Sequence, residues 1–256
     1  MTRILLFNPN TSREVTDLLV EAASPALWSG STLIPVTAPR GIPYIATRAE
    51  AAIASGIVLE TLAEHEGDFD VAIIAAFGDP GLGGARELMS VPVIGLAEAA
   101  MLSACMLGQR FSIVSFSRAL GPWFRECVAM HGLLDRLASI RLLDGAFASL
   151  ATVQDEKEDL LVDLARSAIE HDGADVIILA GAPLAGLAGR VRDRIPVPVV
   201  ESVVAAVKQA ELLVALNTKK PSAGSFRRPD PKPSIGLSAA LERSLLASHS
   251  PISPRL

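Results

Sequence analysis

The sequence predicts an α/β fold of two pseudo-symmetric lobes with mainly parallel sheets and a ligand cleft between them. Three observations carry this expectation. Short apolar runs bounded by Gly, Pro or Asp alternate with longer amphipathic stretches, the order expected of βα units. The runs at 71–76 and 176–180 are apolar throughout, as strands covered on both faces are. One βα unit also occurs twice: Asp70 to Ala76, a Gly/Pro turn, Ala85-Arg86 and Val91-Pro92-Val93-Ile94 are answered by Asp175 to Gly181, a second Gly/Pro turn, Gly189-Arg190 and Val197-Pro198-Val199-Val200. The offset is 105 residues at the strand and 106 at the Val-Pro pair, and a weaker match links 3–7 to 110–114 at 107.

Read in order, the first lobe starts with the strand 3–7, which stops at Asn8-Pro9-Asn10. Thr11 or Ser12 caps the following helix, 12–23, with Glu14 in its first turn. Strand 31–35, helix 48–64, strand 71–76, helix 82–89 and strand 93–95 follow, and helix 98–107 opens the second lobe. The second lobe repeats the plan with strand 111–114, helix 118–131, strand 140–143, helix 155–171, strand 176–180, helix 184–192, strand 199–200 and helix 202–216. The lobes are expected at 1–95 and 96–200, with a helix near 201–216 returning to the first. From 217 to 256 basic residues lie among many Pro, Ser and Gly. This stretch reads as a flexible tail or as an arm anchored by the apolar end 236–241.

The 256 residues are 50% hydrophobic and 20% charged, with a net charge of −5. A chain of this kind builds a sizeable core and lacks the basic face of a nucleic-acid binder. The uncharged stretch 176–189 carries Pro183 and several glycines and is shorter than the roughly 18 apolar residues of a membrane span. No secretory leader is legible, so the expected compartment is the cytoplasm, with no membrane partner and a homo-oligomeric assembly. Cys105 and Cys127 lie in apolar helical patterns and are expected to be inert core residues, away from the strand ends. His65, His131, His171 and His249 are scattered, so no metal site is expected.

In open α/β sheets ligands bind beyond the carboxyl ends of the strands. That rule selects Asn8, Asn10 and Thr11 after the first strand, where helix N–H groups attract a carboxylate or imide oxygen. It selects Ala76, Phe77, Gly78 and Asp79 after the third. Asp79 either caps the helix at 82 or orients substrate. In the second lobe the counterparts are Ser115, Phe116 and Ser117, substrate hydroxyls or a helix cap, and Gly181, Ala182 and Pro183. The expected ligand is a small anionic or imide-bearing molecule. No nucleotide-binding glycine pattern and no Gly-x-Ser-x-Gly elbow is present.

The segments Asn8-Pro9-Asn10-Thr11-Ser12, Ala75-Ala76-Phe77-Gly78-Asp79-Pro80-Gly81-Leu82, Pro92-Val93-Ile94-Gly95-Leu96-Ala97-Glu98-Ala99 and Lys232-Pro233-Ser234-Ile235-Gly236-Leu237-Ser238 together resemble the Asp/Glu racemase superfamily, in particular its hydantoin racemase branch. The resemblance covers essentially the whole chain. It implies a two-lobed fold with the site between the lobes and cofactor-free proton transfer by two cysteines, one on each face of the substrate Cα. The positions those cysteines take in the family are Ala76 and Gly181 here, and neither side chain moves a proton. The resemblance therefore implies a cofactor-independent, racemase-like isomerase acting at the Cα of an amino acid or hydantoin-type derivative, with other catalytic groups. The alternatives are a binding or regulatory protein that kept the pocket, or a lyase or hydrolase using Asp79 and water.

Overall fold

The computed structural model describes residues 1–144, 149–150 and 152–247. Two four-stranded parallel sheets form its frame. The first contains β1 (Thr2–Asn8), β2 (Ser31–Thr37), β3 (Val71–Ile74) and β4 (Val93–Gly95) in the order β2-β1-β3-β4. The second contains β5 (Phe111–Ser115), β6 (Leu137–Leu142), β7 (Val176–Leu179) and β8 (Val199–Glu201) in the order β6-β5-β7-β8. The repeat extends to individual hydrogen bonds. Ala75 N–H donates to Phe7 O at 2.7 Å and Ala180 N–H to Val114 O at 2.9 Å. Ala38 N–H likewise meets Asn8 O, and Leu143 N–H meets Ser115 O. Ala76 and Gly181 therefore follow equivalent strand ends, and Asn8 is the counterpart of Ser115.

Nine helices complete the described fold: α1 (Arg13–Ala23), α2 (Arg48–Glu64), α3 (Leu82–Leu88), α4 (Leu96–Leu107), α5 (Gly121–Met130), α6 (Val153–Asp172), α7 (Leu187–Val191), α8 (Ser202–Ala215) and α9 (Ala239–Leu246). Their starts follow from local chemistry. Ser12 Oγ accepts the Val15 N–H at the head of α1, and Thr47 forms a reciprocal capping box with Glu50 at α2. Helix α4 packs on β7 and β8, while α8 packs on β1, β3 and β4 and against α4. The two sheets consequently share one continuous core that runs from Ile4, Leu6 and Ile73 to Ile113, Ile178 and Val207. Separate apolar clusters cover the outer face of each sheet. Double coverage explains the uninterrupted apolar strands.

Several boundaries differ from the sequence reading. Strand β2 continues to Thr37 because Pro35 lies on an edge strand, where its missing N–H is tolerated. Strand β6 begins at Leu137, not 140, with Ser139 and Ser112 hydroxyls 2.8 Å apart across the ladder. The expected helix 184–192 is split into a 3-10 turn, Ala182–Leu184, and the short α7, because Pro183 and Gly186 interrupt the pattern. A 3-10 turn, Arg118–Leu120, likewise precedes α5.

Beyond α8 the chain folds back over the first lobe. Lys220 Nζ donates to the carbonyls of Arg86 and Glu87 at the end of α3, and Arg228 bonds Glu66 and the Ser244 carbonyl. Leu241 of α9 is buried in the outer core of the first lobe, against which α2 also packs. Among the described residues no helix is long and apolar enough to cross a membrane.

Candidate active site

The loop after β1 is built by its own side chains. Asn8 is fully buried, and its Nδ2 lies 3.0 Å from each of Asn10 Oδ1, Ser12 O and Thr16 Oγ1. Asn10 Oδ1 also accepts the Ser12 N–H at 2.9 Å, and Thr11 N–H donates to Ile42 O in the loop after β2. These amides shape the turn into α1, and Ser12, not Thr11, is the cap. Asn10→Ala is accordingly expected to lower stability by about 1 kcal/mol, since the part-buried Ser12 N–H loses its acceptor and Asn8 Nδ2 loses one of three. Urea unfolding measures this, and unchanged stability would free Asn10 from a structural role.

Across the molecule, the loop after β3 is clasped by α5 of the second lobe. Ala76, Phe77 and Asp79 are buried, and the Phe77 ring meets Phe124 at 4.8 Å between centroids. Trp123 lies so close to Gly78 that a Cβ there would stand 2.3 Å from Trp123 Cζ2. Asp79 does not cap α3, whose N-cap is Gly81. Its carboxylate instead turns to the head of α4, accepting the Ala97 and Glu98 N–H groups at 2.8 Å each. Negative charge is favoured there by the helix dipole and the free N–H groups. Gly95 makes room for it, because a Cβ at that residue would lie 2.4 Å from Asp79 Cγ.

The same carboxylate takes a third partner that sequence spacing did not reveal. His131, at the end of α5, places Nε2 2.9 Å from Asp79 Oδ2 and Nδ1 3.5 Å from Glu98 Oε1. Glu98 is in turn held by Arg86, whose Nη1 lies 2.9 Å from Glu98 Oε1. Burial opposes charge on His131, yet the hydrogen bonds and charges of Asp79 and Glu98 outweigh it and raise its pKa to about 9. Burial likewise opposes ionisation of Glu98, but bonds to His131 and Arg86 bring it down to about 2. Cys127, one turn earlier on α5, has its Sγ 4.0 Å from Asp79 Oδ2, so this thiol stands beside the strand-end loop instead of away from it. Burial, then the nearby Asp79 and Glu98 charges, push its pKa well up, which disfavours a thiolate. Asp79, Cys127 and His131 offer ligand atoms within 4.8 Å of one another. The Asp79 and Glu98 carboxylates of this cluster lie against the His131 ring and the Arg86 guanidinium.

In the second lobe Ser115 Oγ donates to Ala180 O at 2.7 Å. Phe116 is fully buried and packs against Tyr44, with ring centroids 5.8 Å apart. Tyr44 comes from the first lobe, on the loop that also meets Thr11. Burial pushes its hydroxyl pKa up, with the Ser117 hydroxyl acting weakly the other way. Ser117 makes no side-chain cap to the turn that follows it. Phe116 also borders Gly181, where a Cβ would stand 3.0 Å from its Cε1. Ala182 and Pro183 are buried in the turn against α1, and Gln154 Nε2 binds the carbonyls of Pro183 and Ala185. At the head of α8, Glu201 accepts the Gly186 and Ala188 N–H groups, and burial raises its pKa to about 7. Tyr44, His131 and Glu201 are the titratable groups beside these loops that sequence reasoning did not select.

Each strand-end loop is thus covered by a helix of the opposite lobe, and Ala76 and Gly181 follow the equivalent strands β3 and β7. The Asp/Glu/hydantoin racemase family model matches residues 4–210. Hydantoin racemase from Paenarthrobacter aurescens is 36% identical over 234 residues, covering 90% of this chain and 98% of the relative. The solved allantoin racemase of Klebsiella pneumoniae superposes with a TM-score of 0.88 at 33% identity, over 94% of this chain and 99% of that one. That of Pseudomonas fluorescens gives 0.85 at 32% identity, over 91% of this chain and all of the other. Matching over nearly its full length in both sequence and fold, the chain belongs to the Asp/Glu/hydantoin racemase family.

Proposed function

We propose that this protein is a cofactor-independent, racemase-like isomerase that takes a hydantoin- or allantoin-type cyclic ureide between its lobes and moves the proton at the ring carbon without a thiol pair. The observation that carries the ligand class is full-length similarity to solved allantoin racemases at 33% and 32% identity. The reading of Ala76 and Gly181 as the family's cysteine positions argues against the thiol route. Cys127 is a poor replacement, because burial and the neighbouring Asp79 charge disfavour its thiolate. Asp79 is equally ill-suited to activate water, since both its oxygens accept helix N–H groups and one also faces His131. The hydroxyls of Tyr44 and Ser117 remain as proton donors beside Phe116, the ring that borders Gly181.

A second reading, a binding protein that kept the cleft and lost the reaction, is favoured by the same missing pair. One experiment separates the two. Purified protein is incubated with single enantiomers of allantoin and 5-substituted hydantoins in deuterated water, with binding followed by calorimetry. Solvent-derived deuterium at the ring carbon above the uncatalysed rate establishes the isomerase. Saturable binding with no excess exchange establishes the binding protein, and absence of binding overturns the ligand class.

A further inference from the structure

The two lobe junctions are alike in plan and unlike in chemistry. At one, α1 meets the turn Ala182–Leu184, which carries no charged side chain, and a Cβ on nearby Gly186 would stand 3.8 Å from Ala22 Cβ. At the other, α5 meets the loop after β3 through two aromatic contacts and a buried ion pair. We propose that His131 is a cross-lobe positioning residue: by holding the Asp79 carboxylate it fixes the edge of the cleft from Ala76 to Asp79 against α5 and keeps the lobes closed around a ligand.

The geometry supports this in three ways. Asp79 has φ of 51°, a left-handed conformation that costs a non-glycine residue free energy and persists only where partners impose it. Those partners are the two N–H groups of α4 and, from α5 after β5, the His131 ring at 2.9 Å with the Cys127 thiol more distant at 4.0 Å. The loop is also packed away from solvent, with Ala76 6%, Phe77 3% and Asp79 2% exposed. The groups facing His131 are Asp79 from the loop, Glu98 from α4 with Arg86 of α3 behind it, and the Cys127 thiol on its own helix. A protonated ring hydrogen-bonds Asp79 and sets its second N–H toward Glu98 at 3.5 Å, whereas a neutral ring has one N–H and no charge for either carboxylate. Because the folded pKa is raised, the clamp is complete below the ordinary histidine value near 6.5 and is lost as pH rises through about 9.

Trp123 supplies the readout, since it lies against Gly78, and Trp28→Phe leaves it as the single tryptophan. In that background Trp123 emission is expected to titrate with a midpoint near 9. Tyr44 and Cys127, both pushed upward, stay out of that range. His131→Gln should abolish the transition and raise acrylamide quenching of Trp123, while Cys127→Ala should keep the transition. For allantoin, whose use as probe rests on the proposed function, the dissociation constant should rise about tenfold in His131→Gln, as when the closed form falls to about a tenth of the population. Unchanged emission, quenching and titration in folded His131→Gln would overturn the clamp, as would loss of the transition in Cys127→Ala. A lower melting temperature with unaltered quenching and affinity would reduce His131 to a structural residue. Failure of the parent protein to bind allantoin would count against the ligand class alone, and the fluorescence measurements would still decide the clamp.

Discussion

Asp79→Ala is expected to lower the free energy of unfolding by about 3–5 kcal/mol, the cost of removing one partner from a buried ion pair. Two terms add in the same direction. The Ala97 and Glu98 N–H groups at the head of α4 lose their acceptors, and the His131 ring is left with Glu98 alone. Shrinkage of the side chain also opens space over Gly95, which has no Cβ to fill it. A loss of this size corresponds to a melting temperature about 10 °C lower for a chain of this length. Asp79→Asn separates the terms, because the amide keeps the volume and one acceptor while losing the charge. It should cost about half as much. Urea unfolding of both variants at neutral pH checks the order. Near-wild-type stability for Asp79→Ala would mean that the carboxylate is not built into the α4 junction, and a water-activating Asp79 would then become the better reading.

The contrast between what the sequence revealed about Asp79 and what the structure shows is a matter of distance. Strand β3 was legible because Val71 to Ile74 is apolar and closed by Asp70 and a Gly/Pro turn, all local signals. The helix beginning at Leu82 was legible for the same reason, and it suggested the wrong target for the carboxylate. Asp79 reaches α4, 18 residues on, across a gap set by packing of α4 on the sheets. His131 lies 52 residues away on a helix whose pattern gave no reason to prefer its polar end. No local pattern records which turn of α5 will face which loop of the other lobe. The equivalence of Ala76 with Gly181 was readable because an internal repeat carries long-range information as a constant offset. Tyr44 lies outside the repeated segments, so its place at the junction emerged only from the fold.

Restoring the family's thiols is expected to fail on the second lobe. From the sequence alone, Ala76→Cys with Gly181→Cys should recreate proton exchange, provided that Gly181 does not require a positive φ. It does: φ is 113° and ψ 130°, a region closed to residues with a Cβ. The Phe116 ring adds a contact 3.0 Å from the new Cβ. Gly181→Cys should therefore cost about 2–5 kcal/mol, backbone strain and overpacking together. Strain is the larger part. A ring at 3.0 Å needs to shift only a few tenths of an ångström, whereas the backbone is pinned on both sides, by Ala180 N–H on Val114 O and by Leu184 N–H on Gly181 O, each at 2.9 Å. Phe116→Leu in the same chain should recover less than half of the loss. Urea unfolding gives these stabilities, and deuterium incorporation into allantoin reports whether any double variant has gained exchange. Wild-type stability in Gly181→Cys, together with exchange in the double variant, would show that the turn re-forms around a thiol. The expected result places the missing relay in the backbone as well as in the side chain. An isomerase on this scaffold must then take its second proton from a group other than residue 181, and the Tyr44–Ser117 hydroxyl pair is the one to mutate next.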